Sequence, residues 1–229
     1  SPRQFEVLNT IRYLRVLDMP LAEIADFHGK RDVDRMEEKL RQQKDALEAK
    51  MRELCRIEHK IDNRLRGIAD AKTAPLGVIR RVVSPRARFV WMTMADSFHI
   101  DSFLDVETPI QDLARHTEEA VVFLGKVGVG ISAEHLQSGA FSEYDGVFLV
   151  LDDEDQYTGE VMRLPETECV SIRFQGSHPE APAQYEKLLT YIRENGLCIT
   201  GFSREITLID YGFTNDTVKF VTEIRIPIA

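Results

Sequence analysis

The stretch VDRMEEKLRQQKDALEAKMRELCRIEHKIDNRLRGI, residues 33–68, decides how the rest of the chain is read. Apolar residues recur at Val33, Met36, Leu40, Leu47, Met51, Leu54, Ile57, Ile61, Leu65 and Ile68, mostly three or four apart. That spacing stacks them in one stripe along an α-helix. Charges of both signs lie between them, and no proline or glycine interrupts before Gly67. At about 1.5 Å per residue the helix runs roughly 50 Å, longer than a small domain is wide. The stripe therefore extends beyond its own body, and pairing with a second copy as a coiled coil would bury it. Lys44 falls where the stripe wants an apolar residue, and Leu47 to Met51 is a four-residue step where a strict heptad has three. The expected contact is short or antiparallel rather than a long parallel zipper.

Working outward, 229 residues with 43% hydrophobic and 29% charged make one or two globular domains. No run approaches the roughly 20 apolar residues of a membrane span, and no basic-then-apolar leader opens the chain. Cys55, Cys169 and Cys198 are far apart and show neither CxxC nor Cys/His ligand spacing. The expectation is a reducing, cytoplasmic setting, with no metal and no cofactor. The net charge of −9 is unevenly spread. Residues 1–72 carry 16 Lys/Arg against 14 Asp/Glu, residues 73–229 carry 13 against 24. So acidic a C-terminal part excludes nucleic-acid binding through its bulk charge, and suits either cationic ligands or a solubilising surface.

Residues 1–30 open with Ser1 as a cap, Pro2 at the first helical position and an apolar face of Phe5, Leu8, Ile11, Leu14 and Leu17. A short helix, 21–27, follows the Asp18-Met19-Pro20 break. The long helix is placed at 31–67 and a linker at 68–77, where small residues, Pro75 and Gly77 replace the stripe. From 78 to 229 the pattern turns to strands. These are expected at 78–83, 88–94, 127–132, 144–151, 159–163, 168–175, 200–210 and 218–228, with helices at 108–124 and 179–195. Strand pair, helix and strand pair occur twice. The fold class is α+β: N-terminal helices and a long dimerisation helix, then an antiparallel domain of two related modules with a cleft between them.

At this point the residues resemble a known family. SPRQFEVLNTIRYLRVLDMPLAEIADF (1–27) resembles the second half of a MerR-type DNA-binding domain, and the long helix resembles the antiparallel dimerisation helix of those regulators. MRLPETECVSIRFQGSH (162–178), YEKLLTYIRENG (185–196), SREITLIDYGF (203–213) and FVTEIRIPI (220–228) resemble the GyrI-like effector-binding domain. The resemblance implies a homodimeric regulator that distorts promoter DNA for RNA polymerase in response to a small molecule. Family members begin with a helix-turn-helix and wing that this sequence lacks, so residues 1–30 correspond to a remnant of that domain. Arg3, Arg12 and Arg15 could touch only phosphates, which position but do not specify.

Glu205 is the leading site residue. In the strand Arg204-Glu205-Ile206-Thr207-Leu208 a charge alternating with apolar groups faces either solvent or a cleft. In multidrug-sensing MerR regulators the matching glutamate lies at the base of the pocket and pairs with cationic drugs, which favours the cleft. On the same pattern Phe220 keeps an aromatic, while Ile110, Val127, Gly176 and Ala181 stand where those relatives carry Tyr or Phe, and Thr207 stands where many have Tyr. Trp91, Tyr144, Phe148, Tyr185 and Phe202 are the candidate substitute walls, each read more readily as core. Glu223, of opposite parity to Phe220, is read as structural. Two other functions compete with ligand-responsive regulation. One is a GyrI-like hydrolase with Glu205 as general base, against which stand the dimerisation helix and the scattered His99, His116, His135 and His178. The other is a sequestering or partner-inhibiting module.

Overall fold

The computed structural model describes residues 2–17, 19–29, 32–100, 111, 126–153, 155 and 157–229. They divide into two compact units, residues 1–63 and 64–229. In the first, α1 (Pro2–Val16) and α2 (Leu21–Gly29) pack on the start of α3 (Val33–Thr73). Leu14, Met19 and Ile24 are buried there, with Ile11, Met36 and Leu40 against them. Polar ties close the packing: Lys39 to Glu23 at 3.1 Å, Arg35 to Asp26, and the Gln43 amide to the Leu17 carbonyl at 2.6 Å. The three helices together enclose a small core. Phe5 and Leu8, expected on its face, stay exposed.

Beyond Leu40 the stripe of α3 is uncovered: Leu47, Met51, Leu54, Ile57, Ile61 and Leu65 are all exposed. The helix does not stop at Gly67. It continues through six residues expected to be linker and ends at Thr73, because Ala71 is buried and Asp70 is held by Arg173 at 2.6 Å. One exposed glycine costs a helix only about 1 kcal/mol, less than those contacts return.

The second unit is built on eight strands: β1 (Ile79–Ser84), β2 (Ala87–Phe98), β3 (Val127–Gly130), β4 (Tyr144–Leu151), β5 (Met162–Leu164), β6 (Thr167–Gln175), β7 (Arg204–Ile209) and β8 (Val221–Pro227). They form one sheet in the order β1-β6-β8-β7-β3-β4-β2-β5, every described pairing antiparallel. The order contains the two related modules. β6, β7 and β8 place the third strand between the first and second, β2, β3 and β4 do the same, and the triplets meet through β7 and β3. Their junction is a single register pair, Val129 opposite Glu205.

Two helices complete this unit among the described residues. The six-residue α4 (Ala133–Ser138) is capped by Ser132 and stopped by left-handed Gly139. The longer α5 (Ala181–Glu194) buries Ala181, Tyr185, Leu188, Leu189 and Ile192, one stripe at helical spacing. Against it lie Val90, Val129, Val147, Leu149, Val170, Ile172, Phe174, Ile224 and Ile226, which face the same side of the sheet. Cys169 is buried within β6, and Cys198, which follows α5 on the way to β7, is exposed. The helix expected at 108–124 lies outside the described residues except for Gln111, which is helical.

Candidate functional site

Alternation along β7 sends Arg204 and Glu205 to opposite faces. Glu205 is opposite Val129, whose side chain belongs to the core under α5, so the carboxylate points into that side. It is completely buried, and this removes the solvent-facing reading. The Tyr144 hydroxyl donates to it at 3.0 Å (Oε2) and 3.2 Å (Oε1). His178 Nδ1 lies 2.6 Å from Oε1; a carboxylate only accepts, so the ring nitrogen carries the proton. Burial, then the Glu205 charge, pushes the phenols of both Tyr144 and Tyr185 well above their ordinary range. Both therefore remain donors. The Tyr185 hydroxyl lies 2.9 Å from Ser203 Oγ, and Ser203 Oγ accepts from the Ile131 amide at 2.9 Å.

The turn after β6 delivers His178. Gly176 has φ +119°, a backbone conformation that favours glycine, and a Cβ there would sit 2.7 Å from the Glu180 carboxylate and push it aside. Glu180 reaches back to the Ser177 amide at 2.8 Å, closing a capping box over the single 3-10 turn His178–Glu180 that leads into α5. Thr222 ties this turn to the sheet. Its hydroxyl donates to the Gly176 carbonyl at 2.7 Å and lies 3.1 Å from the Thr207 hydroxyl. Thr207 is thus a strut of the turn rather than a missing aromatic wall.

The remaining sequence candidates scatter. Ala181 is fully buried at the start of α5, and Val127 packs on the core at the start of β3. Phe220 is buried with its ring edge-on to Tyr211 at 4.8 Å. Gly176 is a turn residue and Ile110 lies outside the described residues. Arg12 and Arg15 are exposed on α1; the side chain of Arg3 lies outside the described residues. Of the substitute walls, Tyr144 and Tyr185 reach Glu205. Trp91, Phe148 and Phe202 do not, and this corrects the expectation for them. Phe148 is the register partner of Trp91 and Gly128, on the face opposite Val129, and Trp91 packs there on Phe202 at 4.4 Å. Sequence reasoning missed the role of His178, 27 residues from Glu205, because neither segment's spacing points to the other.

That opposite face holds a second buried carboxylate. Glu223 accepts from Ser171 Oγ at 3.0 Å, Arg173 Nε at 3.3 Å and Arg225 at 2.9 Å. Arg173 also donates to Asp70 at the end of α3. Burial works against the Arg173 charge, but Asp70 and Glu223 together hold its pKa above the ordinary value. Beside them is a cavity of about 100 Å³ lined by Arg80, Arg173, Arg225, Ser171 and Glu223. It is small, cationic and on the far side of the sheet from Glu205. Among the described residues no group of three or more His, Cys, Asp or Glu could hold a metal ion, and no helix is long and apolar enough to cross a membrane.

Residues 103–229 match the GyrI-like small molecule binding domain. The chain belongs to the GyrI-like family. Among solved structures the GyrI-like chain resembles EcmrR bound to DNA, in EcmrR-RPo, with 16% identity, 100% of this chain and 84% of that one covered, and a TM-score of 0.51. The EcmrR C-terminal domain covers 66% of this chain and 97% of its own, with 14% identity and a TM-score of 0.53. A hydrolase from Listeria innocua covers 70% and 96%, with 14% identity and a TM-score of 0.47. At these identities the likeness is one of fold. No curated protein matches this sequence closely enough to carry an inference.

Proposed function

We propose that this GyrI-like protein is a cytoplasmic, ligand-responsive transcription regulator whose C-terminal domain binds a lipophilic cation at Glu205. One observation carries the reading. Glu205 is a fully buried carboxylate at the junction of the two modules, and no arginine or lysine is among its described partners. A buried carboxylate without a fixed cation has a large electrostatic deficit that a desolvated cationic ligand offsets. Tyr144 and Tyr185 supply aromatic surface beside it, suited to flat or delocalised cations. The fold likeness to EcmrR, solved with DNA, supports the regulatory part. In this reading two copies pair through the bare stripe of α3, promoter DNA and RNA polymerase are the macromolecular partners, and the protein is not an enzyme. The general-base alternative fits less well, because Tyr144 and His178 already donate to the carboxylate oxygens a reacting proton would need.

Calorimetric titration with tetraphenylphosphonium and with neutral triphenylphosphine oxide tests the site. Wild type should bind the cation and discriminate against the neutral compound, and Glu205→Gln should remove that discrimination while keeping the fold. Equal binding of the two compounds by wild type defeats the cation reading. For the pairing, Leu47→Glu with Leu54→Glu places charges in the stripe. Light scattering should then report a monomer where wild type gives a dimer, and a persisting dimer would remove α3 as its cause.

A further inference from the structure

We propose that His178 is a built-in occupant of the cation site, so that effector binding is a displacement of its imidazole from Glu205. The inference rests on the reading of Glu205 as anchor and adds how that anchor is kept satisfied until a ligand comes. Three side chains crowd the carboxylate, and they differ in freedom. Tyr144 is buried in β4 and Tyr185 in α5, both locked in the core. His178 sits on a one-turn segment between Gly176 and α5, and its side chain is 19% exposed against 0% for Glu205. It is the partner that reaches solvent, and the one whose departure leaves the core intact. Its ring centre lies 6.0 Å from that of Tyr144, within the range at which a cation interacts with an aromatic ring.

This arrangement narrows the ligand class. When the imidazole leaves, the single Tyr144 hydroxyl proton is still shared between the two carboxylate oxygens, and what the site lacks above all is positive charge. Quaternary and delocalised cations, which carry no N–H and are weakly hydrated, fit that requirement better than primary amines. Among the described residues the other groups at the pair are Tyr144 from β4 and Tyr185 from α5, while Glu180, in the same turn, is engaged with the Ser177 amide. Removing the imidazole therefore opens the carboxylate without disturbing the turn that carries it.

The test is calorimetric titration of tetraphenylphosphonium on wild type, His178→Ala, His178→Asn and Glu205→Gln. The asparagine amide is shorter than the imidazole and leaves a weaker occupant at the carboxylate. His178→Ala should bind about tenfold tighter than wild type, with His178→Asn between the two. His178→Ala binding no tighter than wild type, while Glu205→Gln has lost binding, overturns the displacement and leaves the anchor standing. Weaker binding by His178→Ala makes the imidazole a ligand contact and also overturns it. Glu205→Gln binding like wild type overturns the anchor and this inference with it. Should His178→Ala fail to fold, His178→Asn binding no tighter than wild type is the decisive contrary result.

Discussion

Two glutamates on neighbouring strands, Glu205 on β7 and Glu223 on β8, show what a buried carboxylate can be used for. The register sets Glu205 opposite Ile224 and Ile206 opposite Glu223, so the two carboxylates leave opposite faces of the sheet about one residue apart. Both are buried. Glu223 is clasped by Arg173 and Arg225, with Ser171 completing its shell. Its charge is matched by fixed cations, and the network ends on Asp70 of α3, so it works as a fastener between helix and sheet. Among the described residues the partners of Glu205 are the phenols of Tyr144 and Tyr185 and the imidazole of His178, none of which brings a permanent charge. The chemistry of the acid is the same at both places. The charge of the neighbours separates a structural residue from one able to receive a cation.

Exchanging the test between the two sites gives the largest effect. Glu205→Gln should weaken tetraphenylphosphonium binding by about 2–5 kcal/mol, roughly 30-fold or more, while Glu223→Gln should leave it within about twofold. Comparable losses in both variants, measured by calorimetry, would end the distinction. Next comes stability. Arg173→Ala leaves Glu223 with Arg225 and Ser171 and frees Asp70, so the expected loss is about 1–3 kcal/mol in urea unfolding rather than the larger penalty of a fully stranded charge. Cation binding by this variant should be unchanged. A loss of affinity would mean that the fastener and the cleft are coupled through β7 and β8.

Much of this contrast was legible beforehand, and the remainder failed for identifiable reasons. The parity of Glu205 against Arg204, the β-rich runs around Tyr144–Leu151 and Thr167–Gln175, and the helical spacing of Tyr185, Leu188, Leu189 and Ile192 are local signals, and the elements follow them. What a strand faces is not local. Trp91 was counted as a wall because its own strand cannot reveal that β3 pairs with β7 through Val129 and Glu205, which puts Trp91 on the other side. The pairing of His178 with Glu205 depends on the turn at Gly176, whose geometry is tertiary. The six residues of α4 are too few to display a period, and Ser132, its cap, was read as the end of the strand expected at 127–132. The end of α3 was set too early because Gly67 was weighed as a break while the docking of Asp70 and Ala71 was unknown.

The smallest effect is the sharpest check on the fastener. The Asp70 carboxyl is held below its ordinary value, first by the hydrogen bond from Arg173 and then, against some burial, by the charges of Arg173, Arg225 and Arg80. A carboxylate whose folded pKa is depressed adds stability that is fully present above its unfolded value, about 3.9, and is lost as pH falls through the lower folded one. The Asp70 side chain is 65% exposed, so solvent screening limits the contribution to under about 1 kcal/mol. Asp70→Asn should therefore destabilise the protein slightly at neutral pH, and the difference from wild type should vanish in acid, below pH 3.9 and not above it. Urea midpoints measured for both proteins across that range decide the matter. A difference that survives below the folded pKa would assign the effect to shape at the end of α3, whereas its disappearance assigns it to the charge that links Asp70 through Arg173 to Glu223.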